Sequence, residues 1–396
     1  MDARSNDLRR RWGVLAGLVL IRTIVGFEFQ SLGSVSASIP PSLGFEAATL
    51  GAAVGAFMLP GVLISIPAGT ASARGRDKTV LLFFLGVMFV GALGTAVFST
   101  AAGIGVARLV AGTGAAGANV LLSKIVIDLF DGRSVQTAMG LLIASWPLGL
   151  GLSLGVLGPL AAHWGWQAGL IGSAVGCLLA LAVCACLPMK NPPLPAGARK
   201  AEIRQPMDAS TRTAILLSGT VWALFNGALA TILTFAPSLI TRSGSSAAAS
   251  AAMVGGVMWI VTLLIPIGGY LADRVNNLRL IVIWPLMILA ICSPFLLMPQ
   301  DPHWSLLSFG ALCAVPAAAI ASMPATVLNA AQRAEGMGLY QTVYYIGMFA
   351  LPILGGLGDH PAIRQFGPLA MAGLMFAAAS ILAACFRPKV FSTGSN

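Results

Sequence analysis

Apolar residues run along this chain in twelve long blocks, at approximately 12–34, 48–70, 79–98, 102–122, 136–161, 166–188, 213–237, 248–270, 279–298, 304–326, 337–357 and 366–386. Nearly every charged position falls between them. A bilayer core about 30 Å thick takes roughly 20 apolar residues to cross as a helix, and each block has about that length. The pattern predicts twelve membrane-spanning helices. A β-barrel would need alternating strands of about 10 residues, and these runs are continuous and too long for that.

Composition points the same way. Hydrophobic residues make up 57% of the chain and charged residues 9%, against roughly 25% charged in soluble domains. With so little polar surface the solvent has to be lipid, and helices satisfy their backbone groups internally there.

The basic residues set an orientation. With the N-terminus in the cytoplasm, the inner segments hold nineteen of the 23 Lys and Arg residues: Arg4, Arg9, Arg10, Arg11, Arg74, Arg76, Lys78, Lys124, Arg133, Lys190, Arg199, Lys200, Arg204, Arg212, Arg274, Arg279, Arg333, Arg387 and Lys389. The outer loops hold Arg242 and Arg364, and Arg22 and Arg108 fall inside spans. Both termini are expected in the cytoplasm. The +10 net charge is then a topology signal with attraction to anionic headgroups, and it needs no nucleic-acid partner. The first span has the outline of a cleaved signal, a basic start and a trailing Ser36-Ala37-Ser38, but Arg22 interrupts its core and it is read as retained.

Residues 189–212 form the longest polar stretch, with Pro192, Pro193 and Pro195 as helix breakers. They divide a six-span bundle, 1–188, from a second, 213–396. No loop has room for a soluble catalytic domain and no phosphate-binding GxxxxGK[ST] sequence occurs, so any uphill movement must draw on an ion gradient. Gly112-Thr113-Gly114-Ala115-Ala116-Gly117 spells GxGxxG, but it lies within a span and reads as helix-packing surface. The six cysteines sit in spans and read as small buried thiols. His163, His303 and His360 fall in three separate loops, so neither a metal site nor a cofactor is expected.

The halves echo each other. Gly69-Thr70-Ala71-Ser72-Ala73-Arg74-Gly75-Arg76-Asp77-Lys78 follows span 2, and Gly269-Tyr270-Leu271-Ala272-Asp273-Arg274 follows span 8. Gly269-x-x-x-Asp273-Arg274 resembles the loop signature of the major facilitator superfamily. Arg108-x-x-x-Gly112-x-Gly114-Ala115-Ala116 resembles its span-4 signature, and Gly165-Trp166-Gln167 its span-6 opening. Ser145-Trp146-Pro147-Leu148-Gly149, Trp222-x-x-x-Asn226 and Met323-Pro324-Ala325 resemble the cyanate and nitroimidazole transporter branch. The resemblance implies an all-α membrane protein of two six-helix bundles related by pseudo-twofold symmetry, a solute site between the repeats near the midplane, and gating by Gly269, Asp273 and Arg274. Two departures stand out. The first-half loop has Ser72 or Ala73 where the family has Asp, so the equivalent lock is either weak or built on Asp77. The exporter signature of span 5 is incomplete, because Gly158-Pro159 is followed by Leu160-Ala161-Ala162 and Leu occupies position 154.

Charges inside a bilayer are costly, about 2.5–3.5 kcal/mol each on insertion scales, and are candidates for function. Three qualify: Arg22, Glu28 and Arg108. Glu28 lies six residues before the outer end of span 1 and Arg108 six residues after the outer start of span 4. At about 1.5 Å per residue both sit roughly 9 Å below the outer surface. They are expected to pair, with Glu28 the proton-sensitive group and Arg22 left unpaired near the midplane to hold a small planar anion through its fork of donors. A purely structural Glu28–Arg108 bond, with Arg22 bonded to backbone or snorkelling, is the alternative. The second half has no charge inside its spans. Its candidates are Trp222 and Asn226 on span 7 and Tyr344 and Tyr345 on span 11, with Trp146 at a proline kink in span 5. Interhelical bonding for Asn226 and plain packing for the aromatics are the bland readings. Trp12, Trp164, Trp166 and Trp304 read as interfacial anchors.

The expectation is a monomeric secondary transporter of a bacterial-type inner membrane. It would take up a small organic or inorganic anion, with the proton as candidate coupling ion. The alternative is a proton-coupled multidrug or metabolite exporter. No enzyme activity is expected.

Overall fold

The computed structural model describes residues 3–40, 43, 47–72, 76–130, 134–189, 207–245, 247–275, 277–298, 301–356 and 367–387. Regular structure among them is helical throughout: α1 Ala3–Val35, α2 Ala47–Ala56, α3 Gly61–Ser72, α4 Asp77–Val97, α5 Ala101–Leu129, α6 Val135–Trp164, α7 Trp166–Cys186, α8 Ala209–Arg242, α9 Ala247–Val275, α10 Trp284–Cys292, α11 His303–Ser322, α12 Arg333–Gly356 and α13 Gly367–Cys385. Ten of the described helices are long and apolar enough to cross a membrane. Most of the polar stretch expected as a linker lies outside the described residues.

Two spans are not single α-helices. Span 2 is α2 and α3 around a turn at 57–60. Pro60 cannot donate to Ala56 and its ring crowds that carbonyl, so α2 stops at Ala56 and α3 restarts on the Pro60 carbonyl, which accepts from Leu63 and Ile64. Span 9 opens as a π-turn, Arg279–Ile283, continues as α10 and closes in a 3₁₀ turn, Ser293–Phe295. The π-turn precedes Pro285, which has no N–H to offer Ile281.

Contacts group the chain into two units, 1–130 with 142–205, and 131–141 with 206–396. The first turns of α6 therefore belong to the second unit. In the first unit α5 is central and almost wholly buried, packed by α4, α3 and α2. Helices α1 and α6 touch backbone to backbone: a Cβ on Gly149 would stand 2.1 Å from the Thr23 carbonyl, and one on Gly26 2.7 Å from that of Trp146. Basic side chains at one end of this unit close helix C-termini. Lys78 Nζ donates to the Ala185 and Leu187 carbonyls at 2.7 and 2.8 Å, Arg10 to Pro188 at 3.1 Å and Arg11 to Leu129 at 3.3 Å. Cations there oppose the negative end of each helix dipole.

Trp164 and Trp304 are exposed at helix ends, as anchors would be. Trp166 is not an anchor. Gly165, at φ +88°, turns the chain so that Trp166 packs into a core with Leu32, Val35 and Leu170. Trp12 lies edge-on to Phe130 at 5.0 Å. The cysteines also divide: Cys177, Cys184 and Cys313 are buried, whereas Cys186, Cys292 and Cys385 are exposed.

In the second unit α8 and α12 pack through small residues. Gly219 faces Val343, and a Cβ on Gly347 would meet that of Ala223 at 2.5 Å. Phe376 on α13 holds Phe225 and Phe309 edge-on, each at 6.0 Å.

Candidate functional site

The first unit holds a sealed ionic centre. Arg108 on α5 and Glu28 on α1 approach to 3.3 Å, with side chains 0% and 1% exposed. The guanidinium is committed well beyond its carboxylate. It donates to the Glu28 carbonyl at 2.9 Å, the Phe29 carbonyl at 2.6 Å and Ser31 Oγ at 3.4 Å, and it lies 4.5 Å above the Phe57 ring. The other carboxylate oxygen accepts from Ser173 on α7. Three helices thus converge on one buried pair whose charges are met by opposite charge and by dipoles. Without those partners the burial would cost several kcal/mol per ion. Ser31, Ser173 and Phe57 were invisible to sequence reasoning, since a lone serine or phenylalanine in a span is ordinary.

Arg22 lies one and a half turns before Glu28 on α1 and is half-buried. It has interactions of its own, so the expectation of an unpaired cation is not met. Arg22, Gly26 and Phe29 follow one face of α1. That face meets Trp146 on α6, through the Gly26 contact and through rings 5.3 Å apart for Phe29.

In the second unit the neutral candidates come together. Trp222 stands 6.1 Å from Tyr344, which is 5.2 Å from Tyr345. Asn226 donates to the Trp222 carbonyl of its own helix at 2.8 Å, so interhelical bonding is not its use. That bond costs the chain nothing in geometry, because the acceptor lies one turn back on the same face.

The loop residues are also placed. Asp273 accepts from the backbone N–H of Gln136 and Thr137 at 3.2 and 2.8 Å, and from the Thr137 hydroxyl at 2.5 Å. It is a carboxylate on the N-terminus of α6, where the helix dipole favours negative charge. Gly269 allows the approach, since a Cβ there would lie 2.5 Å from the Gln136 carbonyl. Arg274 is exposed and covers the Tyr270 ring at 4.8 Å. Asp77 is engaged within the first unit. It pairs with Lys124 at 2.7 Å, which also reaches Asp128 at 3.2 Å. Ala73 and Arg74 lie outside the described residues. Among the described residues no group of three His, Cys, Asp or Glu side chains is arranged to hold a metal ion.

A family model for the Major Facilitator Superfamily matches residues 18–352. No curated protein matches the chain. Solved structures do. A proton:xylose symporter, XylE, bound to 6-bromo-6-deoxy-D-glucose is 14% identical, with 96% of this chain and 97% of that one covered at a TM-score of 0.74. The human organic anion transporter MFSD10 is 16% identical, with 95% and 99% covered at 0.74. The transporter FucP, in an outward conformation, is 14% identical, with 95% and 99% covered at 0.73.

Proposed function

Because this chain belongs to the Major Facilitator Superfamily, and so is a secondary transporter and not an enzyme, we propose that it takes up a small anion by alternating access, with a proton as the coupling ion. The observation that carries the anion is the contrast between the two interior cations. Arg108 is fully buried and bonded to α1 backbone, so it is a positioning residue that ties α5 to α1. Arg22 is only partly buried, on the α1 face that meets Trp146, and its forked donors suit a carboxylate-like group. Glu28 is the one carboxylate in the interior of a span, and we assign it the proton. A proton symporter and an organic anion transporter are both known on this fold. At such low identity they support the architecture and leave the substrate to the residues.

Trp146, Trp222, Asn226, Tyr344 and Tyr345 are the remaining solute-contact candidates, and Gly269, Asp273 and Arg274 the gating ones. The protein is proposed to act as a monomer in a bacterial-type inner membrane with both termini cytoplasmic. The cyanate and nitroimidazole branch is the proposed subfamily. A proton-coupled exporter is the competing reading. It is disfavoured by the incomplete span-5 signature and by the single carboxylate in the interior of a span.

The test is uptake into proteoliposomes. An inward proton gradient should accumulate the anion, and Arg22→Gln should abolish binding and flux together. Glu28→Gln should keep anion counterflow while losing accumulation. Thermal stabilisation only by lipophilic cations, unchanged in Arg22→Gln, would sink the anion reading and promote the exporter.

A further inference from the structure

The charges at one end of the first unit do not balance. Helix α7 packs against both α1 and α4, and the chain at its C-terminus holds a cation from each. Lys78, at the start of α4, reaches the carbonyls of Ala185 and Leu187, and Arg10 on α1 reaches that of Pro188. Leu187 and Pro188 are consecutive, so the ammonium and the guanidinium lie within roughly 10 Å of each other. Arg76, two residues before Lys78, is exposed. The carboxylate between them turns away, because Asp77 pairs with Lys124 at 2.7 Å. Asp128 is drawn to the same lysine at 3.2 Å. Among the described residues no carboxylate stands within ion-pair reach of Arg10, Arg76 or Lys78. The C-terminus of α7 answers the three with only about half an elementary charge.

Donors are left over as well as charge. Lys78 gives two of its three N–H groups to carbonyls, Arg10 gives one of its five, and Arg76 gives none to a described residue. The helices that carry these cations are apolar and open farther along. Phe83 on α4 is 63% exposed, and Leu178 and Leu179 on α7 are 52% and 50% exposed. At about 1.5 Å per residue they lie roughly 8–14 Å along the helix axes from the cations. Apolar side chains exposed at that depth of a membrane-spanning chain face hydrocarbon. Positive charge at the surface with apolar wall beneath it matches a phospholipid, and a soluble anion would use only the first.

We propose that Arg10, Arg76 and Lys78, where α1, α4 and α7 meet, bind the headgroup of an anionic phospholipid whose acyl chains lie along α4 and α7. A surplus of more than two positive charges favours a headgroup with two phosphates, as in cardiolipin, over one with a single phosphate. The site requires only that the helices span a membrane. It is independent of the solute and of how its movement is coupled.

The experiment titrates the delipidated protein, in neutral detergent, with tetraoleoyl cardiolipin, dioleoyl phosphatidylglycerol and dioleoyl phosphatidylethanolamine, and counts bound lipid by native mass spectrometry. Cardiolipin should bind tightest and phosphatidylethanolamine, which has no net charge, weakest. Each basic side chain near a membrane surface is worth about fivefold in affinity for anionic lipid, so Arg10→Gln with Arg76→Gln should weaken cardiolipin about 25-fold. Arg212→Gln with Arg279→Gln removes the same charge from exposed positions of the second unit and should change the affinity less than about twofold. Arg76→Gln alone breaks no bond to a described residue. It should cost about fivefold while leaving the unfolding midpoint in lipid-free detergent unchanged, so the site stays testable if the paired variant folds poorly. Millimolar inorganic phosphate should not displace the lipid, because it has no acyl chains. Equal binding of the three lipids overturns the proposal. Equal losses from the two paired variants also overturn it, since they would mean a diffuse basic surface. Displacement by inorganic phosphate does the same, by giving the cations to a soluble anion.

Discussion

Removing one member of the Glu28–Arg108 pair should hurt unequally, depending on which goes. In Glu28→Gln the guanidinium keeps two backbone carbonyls, the Ser31 hydroxyl and the Phe57 ring, and gains an amide oxygen of the same shape. The loss is close to one charge-assisted bond, about 1.5–3 kcal/mol. In Arg108→Gln the carboxylate is left fully buried with Ser173 and no countercharge, and the two α1 carbonyls lose their extra donor. That is the broken buried ion pair, about 3–5 kcal/mol. The double variant leaves no stranded charge, so it should cost less than the sum by about 1–3 kcal/mol. At about 2–4 °C per kcal/mol for a unit of this size, Arg108→Gln should lower the unfolding midpoint by roughly 6–20 °C. Thermal unfolding with a thiol-reactive dye reads this directly, because buried Cys177 lies one turn beyond Ser173 on α7. The exposed Cys186, Cys292 and Cys385 are first changed to Ala. Equal losses for the two single variants, or a double variant equal to their sum, would refute the asymmetric account.

Asp273→Asn should weaken the cap on α6 by about 1–2 kcal/mol, seen as faster amide exchange at Gln136 and Thr137; unchanged exchange there would mean the carboxylate does not hold that terminus. Gly149→Ala should cost about 1–3 kcal/mol, since its Cβ would stand 2.1 Å from a backbone carbonyl. Gly105→Ala, on α5 with nothing within 4 Å of the new atom, should be neutral or stabilising by up to about 1 kcal/mol. The same unfolding assay compares them, and similar losses at both sites would defeat the packing argument.

How much of this was legible from sequence follows from what each group costs in lipid. Glu28 and Arg108 announced each other. Two opposite charges at matching depth in apolar spans are too expensive to leave apart, and the structure joins them. Ser173, Ser31 and Phe57 gave no such signal, although they complete the same centre. A hydroxyl in a membrane helix can bond its own helix one turn back, as Thr23 does to Val19, Ser65 to Gly61 and Thr95 to Gly91. Its presence therefore says nothing about a partner elsewhere. Asn226 makes the same point for an amide, bonding Trp222 of its own helix where the bland reading was a bond to a neighbouring one. Span 2 was read as one helix because hydropathy is blind to Pro60, which stops α2 at Ala56. Trp166 was read as an anchor from its place at a span end, but the positive φ of Gly165 turns it inward. Arg22 was read as unpaired by subtraction from the Glu28–Arg108 pair. Subtraction fails there because backbone carbonyls and hydroxyls also satisfy a guanidinium, as Arg108 itself demonstrates. Charge in a bilayer thus identifies which residues must be answered, and only the packed structure says by what.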